Sequence, residues 1–377
     1  MRDILDQVIA WHRQGAACAL ATVVRTRGSA PRPVGTAMAV AESGEVAGSL
    51  SGGCVEGAVY ESAREVLATG RTVIESYGIA DQDAFAAGLT CGGEMDVHVR
   101  PLSGTDCAVL QELVALCAAE QPAALVVPLD ESAGQESWRL TSPDRPLAGK
   151  LGDGAREALL DGMPRVLAGD GSHAACKNVG ATYLVLPFAP RPRMIVAGAT
   201  DFAGALTRIG AFLGYRVILC DARPAFTTDE RFPHADEVVV DWPHRHLEKL
   251  ASTSSGIDTR TAICILTHDP KFDVPALLQA LRSRAGYVGA MGSRRAHLDR
   301  LQRLREAGAT ERELSRLHSP IGLDLGARSP EETAVSIAAE IVASRWGRSG
   351  APLGRTSTPI HPGRPGSAQV TSSPAAP

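Results

Sequence analysis

The chain has 377 residues, 44% of them apolar and 21% charged, with a formal net charge of -4. That length accommodates two ordinary domains with real cores, and a near-neutral chain with no basic run excludes a general attraction to nucleic acid or anionic lipid. Arg2, Asp3, Asp6 and Arg13 interrupt the N-terminus and no apolar run approaches membrane-spanning length, so a cytoplasmic protein is expected.

In chain order, Ile4, Leu5, Val8, Ile9 and Trp11 mark one face of an opening helix that Gly15 ends. Apolar strands are predicted at Ala17–Val24, Ala37–Ala41 and Val46–Leu50, the last two joined by the Ser43-Gly44 turn, and a helix starts near Cys54. Thr72–Tyr77 and Met95–Val99 read as strands, Leu110–Ala119 as a helix, and Ala124–Leu129, Trp138–Leu140 and Ala181–Leu186 as strands. Pro143–Asp170 is so punctuated by glycine, proline and charge that no element is assigned there.

Pro187–Pro192 reads as a linker. Beyond it strands and helices alternate: strand Met194–Ala197, helix Ala203–Leu213, strands Val217–Cys220 and Val238–Val240, helix His246–Ala251, strand Ala262–Leu266, helix Val274–Ser283, strand Tyr287–Met291 and helix Arg294–Ala307. Short apolar strands without polar alternation predict a parallel sheet covered on both faces. The fold class is therefore α/β: a mixed α/β domain over 1–186, a linker over 187–192, and a Rossmann-like doubly wound domain over 193–348. Its last helix carries Ser329 as N-cap, Pro330 at the first position and Glu332 for a capping box. The Pro/Ser/Gly/Thr-rich segment 349–377 has too few apolar residues to offset its ordering entropy and is expected to be disordered.

The chemistry-bearing stretch is Gly48-Ser-Leu-Ser-Gly-Gly-Cys-Val-Glu-Gly57. Gly52 and Gly53 leave the backbone bare, so consecutive N–H groups can face an oxyanion, and Cys54 falls at a helix N-terminus, where thiolate is favoured. The alternative is a small buried core cysteine. Two features favour function: a second glycine-flanked thiol, Cys91 with Gly92 and Gly93, and an upstream loop in which Arg25, Arg27 and Arg32 stand among rigid turn residues suited to a phosphate-bearing ligand. The eight cysteines contain no C-x-x-C pair and no Cys/His zinc spacing, so they read as reduced thiols, and no metal ligands are assigned.

In the second domain, Gly198 follows the first strand and Asp221 ends the second, at the spacing of a ribose-binding acid. The dinucleotide fingerprint is broken: Thr200 replaces its second glycine, Ala203 its third, and Asp201 adds a carboxylate. At 4 Å and an effective dielectric of about 20 that charge would cost about 4 kcal/mol against a pyrophosphate unless it turns away, so NAD(P) binding is doubtful. On the same sheet edge, His268, Asp269 and Asp273, then Ser293, Arg294 and Arg295, then Asp324 within Gly322–Gly326, either hold a phosphate-bearing cofactor or serve as helix caps and solvated charges.

The run Ser29-Ala-Pro-Arg32, the Gly48–Gly57 motif, Cys91-Gly-Gly93, Thr267–Asp273, Tyr287–Arg295 and Ser319–Ala327 together resemble the XdhC/CoxI family, accessory proteins of molybdenum hydroxylases such as xanthine dehydrogenase and carbon monoxide dehydrogenase. The resemblance extends to about Arg348. It implies a maturation factor, not itself an enzyme, that binds molybdenum cofactor and supports its sulfuration by a cysteine desulfurase and its insertion into an apo-hydroxylase; it also makes a homodimer plausible. On that reading Cys54 and Cys91 carry the chemistry, while Arg32, Gly52, Gly53, Glu56, Gly92, Gly93, Gly198, Asp221, His268, Asp269, Ser293, Arg294, Arg295 and Asp324 contact the cofactor. The competing readings are an NAD(P)-dependent oxidoreductase built on the Rossmann-like domain and a thiol redox protein using Cys54 and Cys91.

Overall fold

The computed structural model describes residues 1–28, 32–78, 93–129, 138–168, 181–253 and 256–357. Two compact units emerge: Met1–Pro190 together with the segment from Leu353, and Arg191–Pro352.

The first unit runs α1 (Leu5–Arg13), β1 (Cys18–Arg27), β2 (Ala37–Ala41), β3 (Val46–Gly48), α2 (Glu56–Thr69), β4 (Val73–Tyr77), β5 (Glu94–Pro101), α3 (Gly104–Ala118), β6 (Ala123–Pro128), β7 (Arg139–Thr141), α4 (Gly149–Asp161), β8 (Arg165–Ala168) and β9 (Thr182–Phe188). Two antiparallel sheets form, β3-β2-β1-β5-β4 and β7-β6-β9-β8. Alternation along each strand sends side chains to opposite faces. Ala19, Ala21 and Val23 of β1 thus pack with Val59, Ala63 and Val66 of α2. Leu20, on the other face, joins Leu110 of α3 and Leu125, Leu184 and Leu186 of the second sheet. Pro187 and Phe188, placed in the linker by sequence, pair with Ala124 and Ala123 as the end of β9.

Helix α4 and strand β8 lie in the stretch left unassigned by sequence. The glycines that hide the helix are there for contact: a Cβ on Gly152 would lie 1.9 Å from the Leu147 carbonyl oxygen, and one on Gly154 2.1 Å from Leu167 Cδ1. Close approach outweighs the roughly 1 kcal/mol that glycine costs a helix.

The second unit runs β10 (Arg193–Ala197), α5 (Asp201–Phe212), β11 (Arg216–Asp221), β12 (Glu237–Val240), α6 (Pro243–Ala251), β13 (Ala262–Ile265), α7 (Pro270–Arg282), β14 (Tyr287–Ala290), α8 (Arg294–Glu306), α9 (Glu311–Leu314), β15 (Leu317–His318) and α10 (Pro330–Arg345). Its six strands are parallel in the order β12-β11-β10-β13-β14-β15, so the winding reverses between β10 and β13, as the doubly wound expectation requires. Both faces are covered. Met194 and Val196 pack with Ala203, Leu206, Ile337 and Ile341, whereas Ile195 and Ala197 pack with Leu247, Leu277 and Leu304. Helix α7 begins four residues before its predicted start, because Asp269 caps it and Pro270 occupies its first position. Leu353–Arg355 forms a short 3-10 turn; the rest of the expected tail, 358–377, lies outside the described residues. No helix among the described residues is long and apolar enough to cross a membrane.

His98 stands on β5 opposite Thr22 of β1 and Ile74 of β4 and is 2% exposed. Burial, with Arg100 adding a like charge, pulls its pKa down to about 4 from an ordinary value of 6.5. Between those values the unfolded chain binds the proton and the folded one does not, so stability falls as pH drops from about 6.5 towards about 4, by up to roughly 3 kcal/mol. Thermal midpoints measured over that range should decline less steeply for His98→Gln than for the wild type; identical slopes would refute the assignment.

Candidate functional site

The glycine loop links β3 to α2. Gly52 and Gly53 adopt φ of +88° and +124°, values that exclude most side chains, and a Cβ on either would meet nothing within 4 Å. The outer side of the turn is open. The inner side converges on the Glu56 carboxylate, which occupies the place the sequence offers to a bound oxyanion. Its Oε1 accepts from Leu50 N (3.1 Å), Ser51 N (2.8 Å), Gly52 N (2.8 Å) and Ser49 Oγ (2.7 Å). Its Oε2 accepts from Gly53 N (2.8 Å), Val55 N (3.3 Å) and Ser51 Oγ (2.5 Å). Burial alone would raise the Glu56 pKa, but the hydroxyls of Ser51 and Ser49 and the N–H groups of Ser51 and Gly52 hold it far below the usual carboxylate range.

Cys54 is half-buried and precedes α2 rather than sitting in its first turn, since Val55 is the N-cap and Glu56 the first helical residue. Its N–H donates to Ser51 Oγ at 2.9 Å. Cys18 and Cys220 are buried, and burial pushes their thiols up to about 12, the condition of inert structural sulfur.

Register pairing brings several sequence-predicted residues to the same end of the first sheet. Gly48 pairs with Met38, and Arg25 and Arg27 pair with Asp96 and Glu94 at the start of β5, directly after the buried Gly93. Two of the three arginines are already engaged: Arg25 Nε lies 2.5 Å from Asp96, and Arg27 Nη1 lies 3.9 Å from Glu94. Arg32 is exposed, and its charge acts on Asp3. Cys91, Gly92 and Ser29–Pro31 lie outside the described residues.

In the second unit, Gly198 has φ +113°, and a Cβ there would lie 2.9 Å from Thr267 Cγ2 and 3.0 Å from the Leu266 carbonyl carbon. The glycine is demanded by the end of β13. Thr200 caps α5, its hydroxyl accepting from Ala203 N. Asp221, expected at a ribose, is buried and turned back on the chain: Oδ2 accepts from Ala199 N (2.7 Å) and Arg223 Nη2 (2.8 Å), and Oδ1 accepts from Arg223 N (2.9 Å) and Nε (3.0 Å). Burial would raise its pKa, yet Arg223 and Ala199 hold it below the usual range. Asp201 turns outward, 87% exposed and 3.9 Å from Arg231, so the charge repulsion expected from it does not arise.

Asp269 caps α7, one of the two roles the sequence leaves open to it, and Ser293 caps α8, its hydroxyl accepting from Ala296 N. His268, Arg294, Arg295 and Asp324 are exposed on this edge, and neither arginine has an ion-pair partner among the described residues. A residue missed by sequence ties the edge together. Buried Arg300 donates from Nη2 to the Met291 carbonyl (2.6 Å) and Asp273 (3.3 Å), and from Nη1 to Ser319 Oγ (2.9 Å), while Thr267 donates to Asp273. Among the described residues, no group of three or more His, Cys, Asp or Glu is placed to hold a metal ion.

Residues 194–341 match the XdhC Rossmann domain and residues 11–78 match the XdhC and CoxI family. The chain belongs to the XdhC/CoxI family. It is 28% identical over 352 residues to the molybdenum cofactor insertion chaperone PaoD of Escherichia coli (strain K12), covering 91% of this chain and 88% of that protein. It is 26% identical over 336 residues to a probable xanthine dehydrogenase subunit of Bacillus subtilis (strain 168), covering 86% and 92%. A crystal structure titled as a xanthine dehydrogenase from Bacillus halodurans superposes with a TM-score of 0.62 at 23% identity, over 92% of this chain and 96% of that one, and thus shares the fold.

For this XdhC/CoxI chain the turn after β10 offers a dinucleotide little: Thr200 stands where backbone should approach pyrophosphate, and Ala199 N and Asp221 are spent on each other. Calorimetry with NADH in the micromolar range should give no saturable heat for the wild type or for Asp201→Asn. Saturable heat from the wild type would revive the oxidoreductase reading, and heat from Asp201→Asn alone would restore charge repulsion as the obstacle.

Proposed function

We propose that this chain is an accessory factor in the maturation of a molybdenum hydroxylase of the xanthine dehydrogenase or carbon monoxide dehydrogenase type. It binds molybdenum cofactor, shelters it while a cysteine desulfurase provides sulfur, and passes it to the apo-hydroxylase, working in the cytoplasm as a homodimer. Family membership in both units supports a chaperone in place of a catalyst, and the name of the Escherichia coli relative gives the insertion step of that task. The local observation that carries the reading is the half-buried Cys54 beside Gly52 and Gly53, whose outer side has room for a ligand.

When bound, the cofactor supplies a molybdenum centre able to take a terminal sulfido ligand. Cys54 is the residue suited to meet it, because thiolate is a soft ligand. Taken by itself, the second unit has a phosphate-binding edge of its own in Arg294, Arg295 and the N-terminus of α8, since guanidinium forks and helix N-termini both bind phosphate.

Cys54→Ser should fold with an unchanged thermal midpoint and retain less molybdopterin on purification, with lower hydroxylase activity and sulfido content in cells that carry it. Normal retention together with full sulfido content would remove Cys54 from the function and leave it a structural cysteine.

A further inference from the structure

The glycine loop has the form of an anion-binding concavity, but its occupant belongs to the chain. Each oxygen of Glu56 takes several donors from Ser49 through Val55, so the N–H groups of Leu50, Ser51, Gly52 and Gly53 are committed. The same carboxylate reaches Cys54 through one intermediary: Ser51 Oγ donates to Glu56 and accepts from Cys54 N (2.9 Å) and Val55 N (3.1 Å). The glycine Cα atoms face open space on the other side. Opening the nest to an external phosphate would strip a carboxylate of seven donors, and nothing else in the loop would replace them.

We infer that Glu56 is a positioning residue for Cys54: it is the resident anion of the loop and fixes the backbone that presents the thiol, and the loop itself takes no phosphate from a ligand. The inference rests on the reading of Cys54 as the residue that meets the cofactor, and it moves Glu56, Gly52 and Gly53 from ligand contacts to supports of that contact. The chemical consequence is that the ligand end approaching Cys54 is an electrophilic, thiophilic one. A second anion would meet a fixed carboxylate with no donor left to share.

The test uses the full-length protein and its Glu56→Gln, Ser51→Ala, Cys54→Ser and Cys54→Ser/Glu56→Gln variants. Glu56→Gln keeps the side-chain length but turns an amide NH2 towards donors. Ser51→Ala keeps the carboxylate and cuts its link to Cys54, and it decides the matter if Glu56→Gln fails to fold. Iodoacetamide alkylation of the Cys54 peptide, followed against pH by mass spectrometry, should change in rate by about fivefold or more and shift its profile in both single variants, with the thermal midpoint held. Amide exchange at 50–53 should quicken in Glu56→Gln. The double variant should retain as much molybdopterin as Cys54→Ser alone, because the two residues act in series. An unchanged alkylation profile in both variants would overturn the inference, as would retention in the double variant well below that of Cys54→Ser. Saturable binding of inorganic phosphate to the wild type with loss of protection at 50–53 would also overturn it, by making Glu56 a displaceable placeholder. Normal molybdopterin retention by Cys54→Ser would instead defeat the role of Cys54, while alkylation still reports whether Glu56 positions it.

Discussion

A segment that turns consecutive backbone N–H groups to one side makes a concavity of positive potential that favours a negative group. In the first unit the Glu56 carboxylate is that group, and the geometry around it follows. Positive φ at Gly52 and Gly53 aims the donors inward, Ser49 and Ser51 add hydroxyls, and the loop closes onto the first turn of α2. A carboxylate at that helix start also lies well in the helix dipole. The helix is anchored from its other side by Val59, Ala63 and Val66 against the sheet, so loop and core hold each other in place.

The second unit repeats the principle on unrelated architecture. Asp221 leaves the end of β11 and takes the Ala199 N–H of the turn after β10, with Arg223 as counter-charge. The N–H groups of a Rossmann-type turn take an acceptor whether or not a dinucleotide binds, and here the acceptor is a side chain from the next strand in sequence, adjacent in the sheet. Strand order alone therefore says little about nucleotide use. What distinguishes the two loops is the setting of the thiol: Cys54 is half-buried beside its turn, whereas Cys220, next to Asp221 and accepting from Gly198 N through its carbonyl, is fully buried.

Much of the second unit was legible because a parallel sheet buried on both faces leaves short uninterrupted apolar runs, and Met194–Ala197, Val217–Cys220 and Ala262–Leu266 are such runs. The Gly/Cys motif was legible as a strand-to-helix junction because consecutive glycines between two apolar segments mark a turn that needs positive φ. The destination of Glu56 was hidden, since an acid in a first helical turn looks ordinary in any sequence. Arg300 was hidden among the arginines of α8, as only tertiary packing selects the one that turns inward to Asp273. Helix α4 was hidden because the reasons for Gly152 and Gly154 lie in Leu147 and Leu167, contacts that no local pattern contains.

Helix α10 carries a further consequence. Glu340 accepts from Tyr287 Oη (2.6 Å) and Gly322 N (2.7 Å) and lies 3.1 Å from His318 Nδ1, which stacks on Tyr287, while Ala334, Ile337 and Ile341 fill the core beside it. Burial, with Cys264 and Glu340 adding to it, raises the Tyr287 pKa, so its hydroxyl is a committed donor. During synthesis β14 and β15 leave the ribosome before α10 does. Until that helix arrives, the Tyr287 hydroxyl and the Gly322 N–H at the sheet's far edge have only water to accept from them, and an apolar face lies uncovered. The second unit is thus completed from its C-terminal end: its Rossmann-like sheet becomes a finished, water-excluding structure only when the last helix of the unit is in place.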